Sequence, residues 1–434
     1  MNAENDLPRA FAEARLDATS ATGQPEIEAL SAEHRQAGSV ALFGLFGCGN
    51  LGNDGSLEAM LEFLRRARPR AELFCICGEP DLVAERFGLR TVAIRWTGRP
   101  DGLSRKLNRL LLKAPSKLAD LVNSFRHVRK ADVMIIPGTG ILDDFGERPL
   151  GMPFDILRWC LAARIMGTKV AFVSIGAGPI DHPVSRWLMI AAARLAHYRS
   201  YRDAQSREFM EGAGLDAGDD PVYPDLAFKL PEPTPTTRAT PRSPLTIGVG
   251  VMSYYGWYGF ADGGQAIFDT YVAKIARFVS HLLDEGHNVR LLTGESTDWT
   301  AVESVIDRVS VARPDDLAPA IEAEPVHSLH DLMGQISKTD VVVATRYHNI
   351  VCALKMAKPT ISLGYAKKND VLMASMGLGE YCDHVERFEV RALIQQFSRL
   401  CADRQEFEHM LLHSNNLLRQ ELERQDRQLL DELI

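Results

Sequence analysis

The sequence predicts an α/β protein of two domains facing each other across a cleft, followed by a C-terminal helical extension. Three observations carry this. Apolar, strand-like runs alternate with helical patterns from Ser39 onward. The alternation breaks at Lys229–Pro244, a stretch rich in Pro and Thr, and restarts at Thr246. Beyond the second set of strands, Phe407, Leu411, Leu418, Leu422, Leu429 and Leu433 form an approximate helical stripe. Strands alternating with helices imply parallel sheets covered on both faces.

The elements follow in order. Residues 1–37 are charged and weakly periodic, and read as a mobile tail. The first domain, 38–228, begins with the buried strand SVALFGLFG and the helix SLEAMLEFLRRAR. The strands AELFCICG, ADVMIIPG and TKVAFVSIG follow, with the helix FDILRWCLAARIMG before the last. Residues 229–244 read as an extended linker. The second domain, 245–400, has strands TIGVGV, HNVRLLTG, DVVVA and KPTISLGY, with helices such as YVAKIARFVSHLLDEG between them. Residues 401–434 form the terminal helix, expected to pack on the body beyond the second sheet.

Composition narrows the function. The 434 residues carry a net charge of −8 and a pI of about 5.9. A dedicated nucleic-acid binder is usually basic over a whole domain, so nucleic acid is excluded as the main partner. The polar, acidic N-terminus lacks a signal peptide's basic start and apolar core, and no apolar run is long enough to span a membrane. A cytoplasmic protein is expected. The seven Cys sit in apolar segments and read as buried, reduced thiols, with Cys75 and Cys77 on opposite strand faces. No His/Cys/Asp pattern points to a metal.

Ligands of open α/β sheets collect at the carboxyl ends of strands. Four glycine-rich turns stand at such ends: Gly47–Ser56, Pro137–Gly140, Ser174–Pro179 and Thr293–Ser296. Their backbone N–H groups can approach an anion, and helix N-termini add a favourable dipole. Candidate contacts are Gly49, Asn50, Gly138, Thr139, Gly140, Gly176 and Gly178. Gly47, Gly49 and Gly52 also fit a dinucleotide-binding spacing, but without a well-placed acid.

The most informative segment is ATRYHNIVCALKMAKPTISLGYAKK, Ala344–Lys368. A buried strand runs directly into Arg346 and His348, where the next helix begins. A permanent cation and a titratable imidazole at one helix N-terminus suit a phosphate or carboxylate. Arg202 and Asp203 in YRDAQS open another helix.

In their order, GCGNLGNDG, GTGILDD, SIGAGP, RDAQS, TRYH and YAKK resemble the polysaccharide pyruvyl transferases, over roughly Ser39 to Leu378. The resemblance implies a two-domain, Rossmann-like architecture of the glycosyltransferase GT-B type. It implies phosphoenolpyruvate as donor substrate, no cofactor, and a sugar or lipid-linked oligosaccharide as acceptor in surface-polysaccharide or exopolysaccharide biosynthesis. Arg202, Arg346 and His348 correspond to donor-site residues, Lys367 of the Tyr–Lys pair to a substrate contact, with His348 as general acid and Asp54, Asp143 or Asp144 as possible bases. The sequence departs from the family pattern at Gly55–Ser56 and at Thr139, which bears on acceptor type. A nucleotide-sugar glycosyltransferase or epimerase on the same architecture, or a non-catalytic scaffold, are the alternatives.

Between Arg95 and Lys130, ten Lys and Arg accompany only Asp101 and Asp120. Leu103, Leu107, Leu110 and Leu111 interleave with Arg105, Lys106, Arg109 and Lys113 at helical spacing. That pattern predicts a basic amphipathic helix able to rest on the inner membrane face.

Overall fold

A computed structural model describes residues 38–95, 114–144, 147–233, 244–256, 263–313 and 320–434. The tail 1–37 and most of the basic segment, 96–113, lie outside the described residues.

The first domain runs β1 (Ser39–Gly44), α1 (Leu51–Ala67), β2 (Glu72–Cys77), α2 (Pro80–Phe87), β3 (Arg90–Ala93), α3 (Ala114–Val128), β4 (Val133–Pro137), α4 (Met152–Met166), β5 (Lys169–Ile175), α5 (Pro183–Arg194), β6 (Tyr198–Tyr201) and α6 (Ala204–Gly212). The second runs β7 (Thr246–Gly250), α7 (Gly264–Asp284), β8 (Asn288–Leu292), α8 (Trp299–Ala312), β9 (Ile321–Ala323), α9 (Leu329–Ser337), β10 (Val341–Ala344), α10 (Tyr347–Lys355), β11 (Thr360–Gly364), α11 (Lys367–Ser375), β12 (Cys382–His384) and α12 (Val390–Ala402). The terminal helix is α13 (Arg404–Glu432).

Both sheets are parallel and six-stranded, ordered β3-β2-β1-β4-β5-β6 and β12-β11-β10-β7-β8-β9. Counted from its own first strand, each has the doubly wound order 3-2-1-4-5-6. The strand order therefore reverses at β1/β4 in one sheet and at β7/β10 in the other, while every strand stays parallel. Crevices form outside the carboxyl ends of strands at such points. The turns that follow β1, β4 and β10 are those that carry Asn50, Thr139 and Arg346.

Continuous Val/Ile/Leu runs form the central strands because both sheet faces are covered. One core lies under α3, α4 and α5. The other extends from α1 through Leu230 and Leu329 into the second domain, so the two domains share buried apolar surface. Gly55 makes the junction close: a Cβ there would lie 2.3 Å from Leu329 Cδ1.

Three expectations change. The linker does not start at Lys229. Leu226–Lys229 is a 3-10 turn, and the buried Lys229 ammonium pairs with Asp426 of α13. The terminal helix does not stay beyond the second sheet. Near its start Phe407 packs edge-on to Tyr381, 5.4 Å between ring centres. Near its end the Gln425 amide donates to Ser174 Oγ (2.8 Å) and Ser200 Oγ (3.1 Å) of the first domain. It spans both domains as a strut. Cys75 and Cys77, two residues apart, share one face and one core, as the two-residue strand period requires. Burial pushes the Cys75 thiol well up, whereas Cys48 is exposed.

Candidate functional site

A cavity of about 210 Å³ opens between the domains. The first domain lines it with Asn50, Asn53, Thr139, Gly140, Asp143 and Arg202, the second with Glu295, Arg346, Tyr347, His348, Tyr365 and Lys368.

Arg346 is the N-cap of α10, held where β10 ends. Its Nε and Nη2 donate to both oxygens of Asp298 at 3.0 and 2.7 Å, and Nη2 also donates to Glu295 at 2.9 Å. Asp298 is fully buried and also accepts from the N–H groups of Ser253, Gly294 and Glu295. This is a fixed fork on a buried anchor. Glu295 reaches across the cleft as well: Asn50 Nδ2 donates to its Oε1 at 3.1 Å. Burial raises the Glu295 carboxyl, with Arg346 opposing the rise.

His348 lies in the first turn of α10, with Nε2 3.8 Å from Asp225 Oδ2. Gly52, in the first turn of α1, makes room for the ring. A Cβ there would lie 2.0 Å from His348 Nδ1. Burial pushes the imidazole down to about 4, against the pull of Asp225. His348 is therefore neutral near neutral pH in the free protein, not a resting acid.

Arg202 comes from the end of β6. Its Nη1 donates to Asp225 at 3.2 Å, and its guanidinium lies 4.3 Å from the centre of the Tyr347 ring. Gly176 gives it space: a Cβ there would lie 2.5 Å from Nη2. Lys368 approaches the rings of Tyr347 and Tyr365 at 6.0 and 5.4 Å. Three buried polar atoms around this cavity, Thr139 Oγ1, Arg202 Nε and His348 Nε2, have no hydrogen-bond partner among the described residues. Buried polar atoms are normally satisfied, so these three are open to a ligand's polar groups.

The remaining expected residues divide. Gly49, at φ +87°, lies beside Ser296 of the other domain. Gly138, at φ +51°, packs on Ser56 and supports the turn rather than lining the cavity. Gly178 and Lys367 line a neighbouring interdomain cavity of about 800 Å³, which shares Tyr365 with the first. Lys368, not Lys367, is the lysine of the smaller cavity. Asp54 faces away: it accepts from Gly47 N–H at 2.8 Å and pairs with Arg86 at 3.2 Å, so it is not placed to act as a base there. Asp144 accepts the N–H groups of Asp181 and His182. Of the three expected acids, only Asp143 lines the cavity.

Sequence reading missed Asp225, Asp298 and Lys368. Asp225 and Asp298 stand in segments with no pattern of their own. Lys368 was masked by its neighbour. Among the described residues, no three His, Cys, Asp or Glu side chains group to hold a metal.

A family model described as polysaccharide pyruvyl transferase matches residues 50–367. A comparison with curated proteins finds no match. Among solved structures, the chain resembles Anabaena HepE in complex with UDP and glucose, at TM-score 0.56 and 13% identity over 91% of this chain and 100% of that one. A glycosyltransferase from Rickettsia africae gives TM-score 0.55 and 12% identity, over 92% and 99%. The UDP-GlcNAc 2-epimerase of Methanocaldococcus jannaschii gives 0.54 and 10%, over 83% and 91%. At these identities the likeness is one of fold, and it is the GT-B-like fold.

Proposed function

Because the chain belongs to the polysaccharide pyruvyl transferase family, we propose that it moves a pyruvyl group from phosphoenolpyruvate onto a pair of sugar hydroxyls. The observation that carries this is the convergence of Arg202, Arg346, Lys368 and the orphaned His348 Nε2 on one small cavity. Phosphoenolpyruvate carries a carboxylate and a phosphate close together. Guanidinium forks suit such groups. At about 210 Å³ the cavity has room for a compact anion of this kind.

The chemistry assigns roles to this chain's residues. Ketal formation adds a proton at C3 of the enol and develops positive charge at C2. One sugar hydroxyl adds at C2 and gives up its proton. The second hydroxyl then displaces phosphate from C2 and closes the ring. His348 is neutral in the free protein, so the proton it delivers to C3 arrives with the donor. An anion beside Nε2 favours the charged imidazole. Of the expected acids, Asp143 lines this cavity, beside Glu147 and Glu295, and takes up the hydroxyl proton in this scheme. Glu295 holds Arg346 until a donor anion competes for it. The adjoining cavity gives the acceptor room, with Gln205, Asp370 and Asp383 as hydroxyl partners.

Phosphate release tests this. Purified protein should release phosphate from phosphoenolpyruvate only when a suitable free or lipid-linked oligosaccharide is added, and the glycan should gain a pyruvyl ketal. Transfer of a sugar from a UDP-sugar to the same panel, with no ketal formed, would favour the glycosyltransferase alternative instead.

A further inference from the structure

We propose that the outer face of the first domain, formed by α3, α4 and α5, docks on an anionic phospholipid surface. Twelve large apolar side chains are exposed among the described residues. Seven lie on these three helices, and an eighth, Leu150, sits just before α4. They are spaced to share a face. Leu118 and Val122 are one turn apart on α3, Leu161 and Ile165 one turn apart on α4, and Val184 and Trp187 three residues apart on α5. Trp187 is 65% exposed. The helices lie side by side, α3 on α4 and α4 on α5. They cover the sheet face whose core is separate from the one shared with the second domain. Clustered apolar exposure of this kind marks an interaction surface.

Charge selects the occupant. The only acids in the three helices are Asp120 and Asp155, and both are buried. Asp155 is spent on Arg95 and Arg158. Arg126, Arg164, Arg186 and Arg194 are exposed on the helices, with Arg129 and Lys130 just beyond α3 and the exposed acids Asp132, Glu147 and Asp181 confined to the flanking turns. Among the described residues no carboxylate pairs with Arg126, Arg164, Arg186 or Arg194. A protein of net charge −8 thus presents one face that is apolar and cationic. A second copy of the chain would set these cations against themselves. A lipid surface meets both features: apolar side chains enter the headgroup boundary while arginines pair with lipid phosphates.

Vesicle sedimentation of the full chain tests this without donor or acceptor, so it stands or falls apart from the activity. The protein should pellet with phosphatidylcholine vesicles containing phosphatidylglycerol at low salt, and not with pure phosphatidylcholine. High salt should release it. Trp187 emission should shift to the blue on binding. The triple variant Arg126→Gln/Arg164→Gln/Arg194→Gln should lower partitioning by about tenfold or more. The variant Ile165→Ser/Trp187→Ser should do the same. All five sites are exposed, and unchanged melting of the variants will show that the fold is kept. No binding to anionic vesicles at low salt overturns the proposal. Binding that both variants leave unchanged overturns it too. So does a wild-type dimer that Ile165→Ser/Trp187→Ser dissociates, because the face would then be a self-contact.

Discussion

Arg346 is both an anchor and a ligand group, and the two roles separate experimentally. Arg346→Ala removes the cation from the buried Asp298, which should cost about 3–5 kcal/mol of stability, read as a lower chemical-denaturation midpoint. Glu295→Gln removes the competing charge while the Asp298 fork remains. Phosphoenolpyruvate should then bind about tenfold more tightly by calorimetry, and weaker binding would mean that Glu295 serves the donor rather than opposing it. His348 makes a pH prediction. Its folded value of about 4 lies below the ordinary 6.5. The neutral ring therefore contributes stability that is fully present above pH 6.5 and is lost as pH falls toward 4. His348→Gln should flatten that part of the stability–pH curve and lower turnover by about 10²–10⁴. Turnover within a few-fold of wild type would leave His348 a positioning group only.

At the scale of elements, the close approach of α1 to α10 decides whether the cavity exists. Gly52→Ala would drive a methyl into the His348 ring, so that the ring or the cleft must shift. Donor affinity should fall by at least about tenfold while the protein stays folded, since clashes of this kind typically cost about 1–3 kcal/mol. The strut α13 makes a separate claim. Leu422 and Leu429 are buried on it. Leu429→Ala should cost about 2–5 kcal/mol and loosen the two domains together, seen as one transition shifted down rather than one domain melting early. The sequence pattern of α13 showed a packed leucine stripe, but not that Gln425 and Gln428 reach the first domain. Periodicity gives which face is buried, not what covers it.

For the molecule as a whole, the doubly wound architecture was legible because strand–helix alternation and four glycine turns are local signals. Arg202, Arg346 and His348, singled out by motif order, line one cavity, since each stands just past the end of a strand. Legibility stopped at side-chain direction. Asp54 and Asn50 lie four residues apart at the start of α1, yet only Asn50 faces the cavity, and nothing in GCGNLGNDG separates them. Lys367 and Lys368 differ by one residue and so by about 100° around α11, enough to place them in different cavities. The resting charge of His348 was not legible either, because it follows from burial between two domains far apart in sequence.

If the interdomain cavity takes phosphoenolpyruvate, that ligand should stabilise the folded protein. Melting curves of the wild-type protein should shift upward with rising phosphoenolpyruvate and stay unmoved by UDP-GlcNAc or UDP-glucose, because a ligand that binds only the folded state stabilises it in proportion to the logarithm of its concentration. Arg202→Gln should lose the shift. A melting temperature raised by a UDP-sugar and indifferent to phosphoenolpyruvate would make the cavity a nucleotide-sugar site instead.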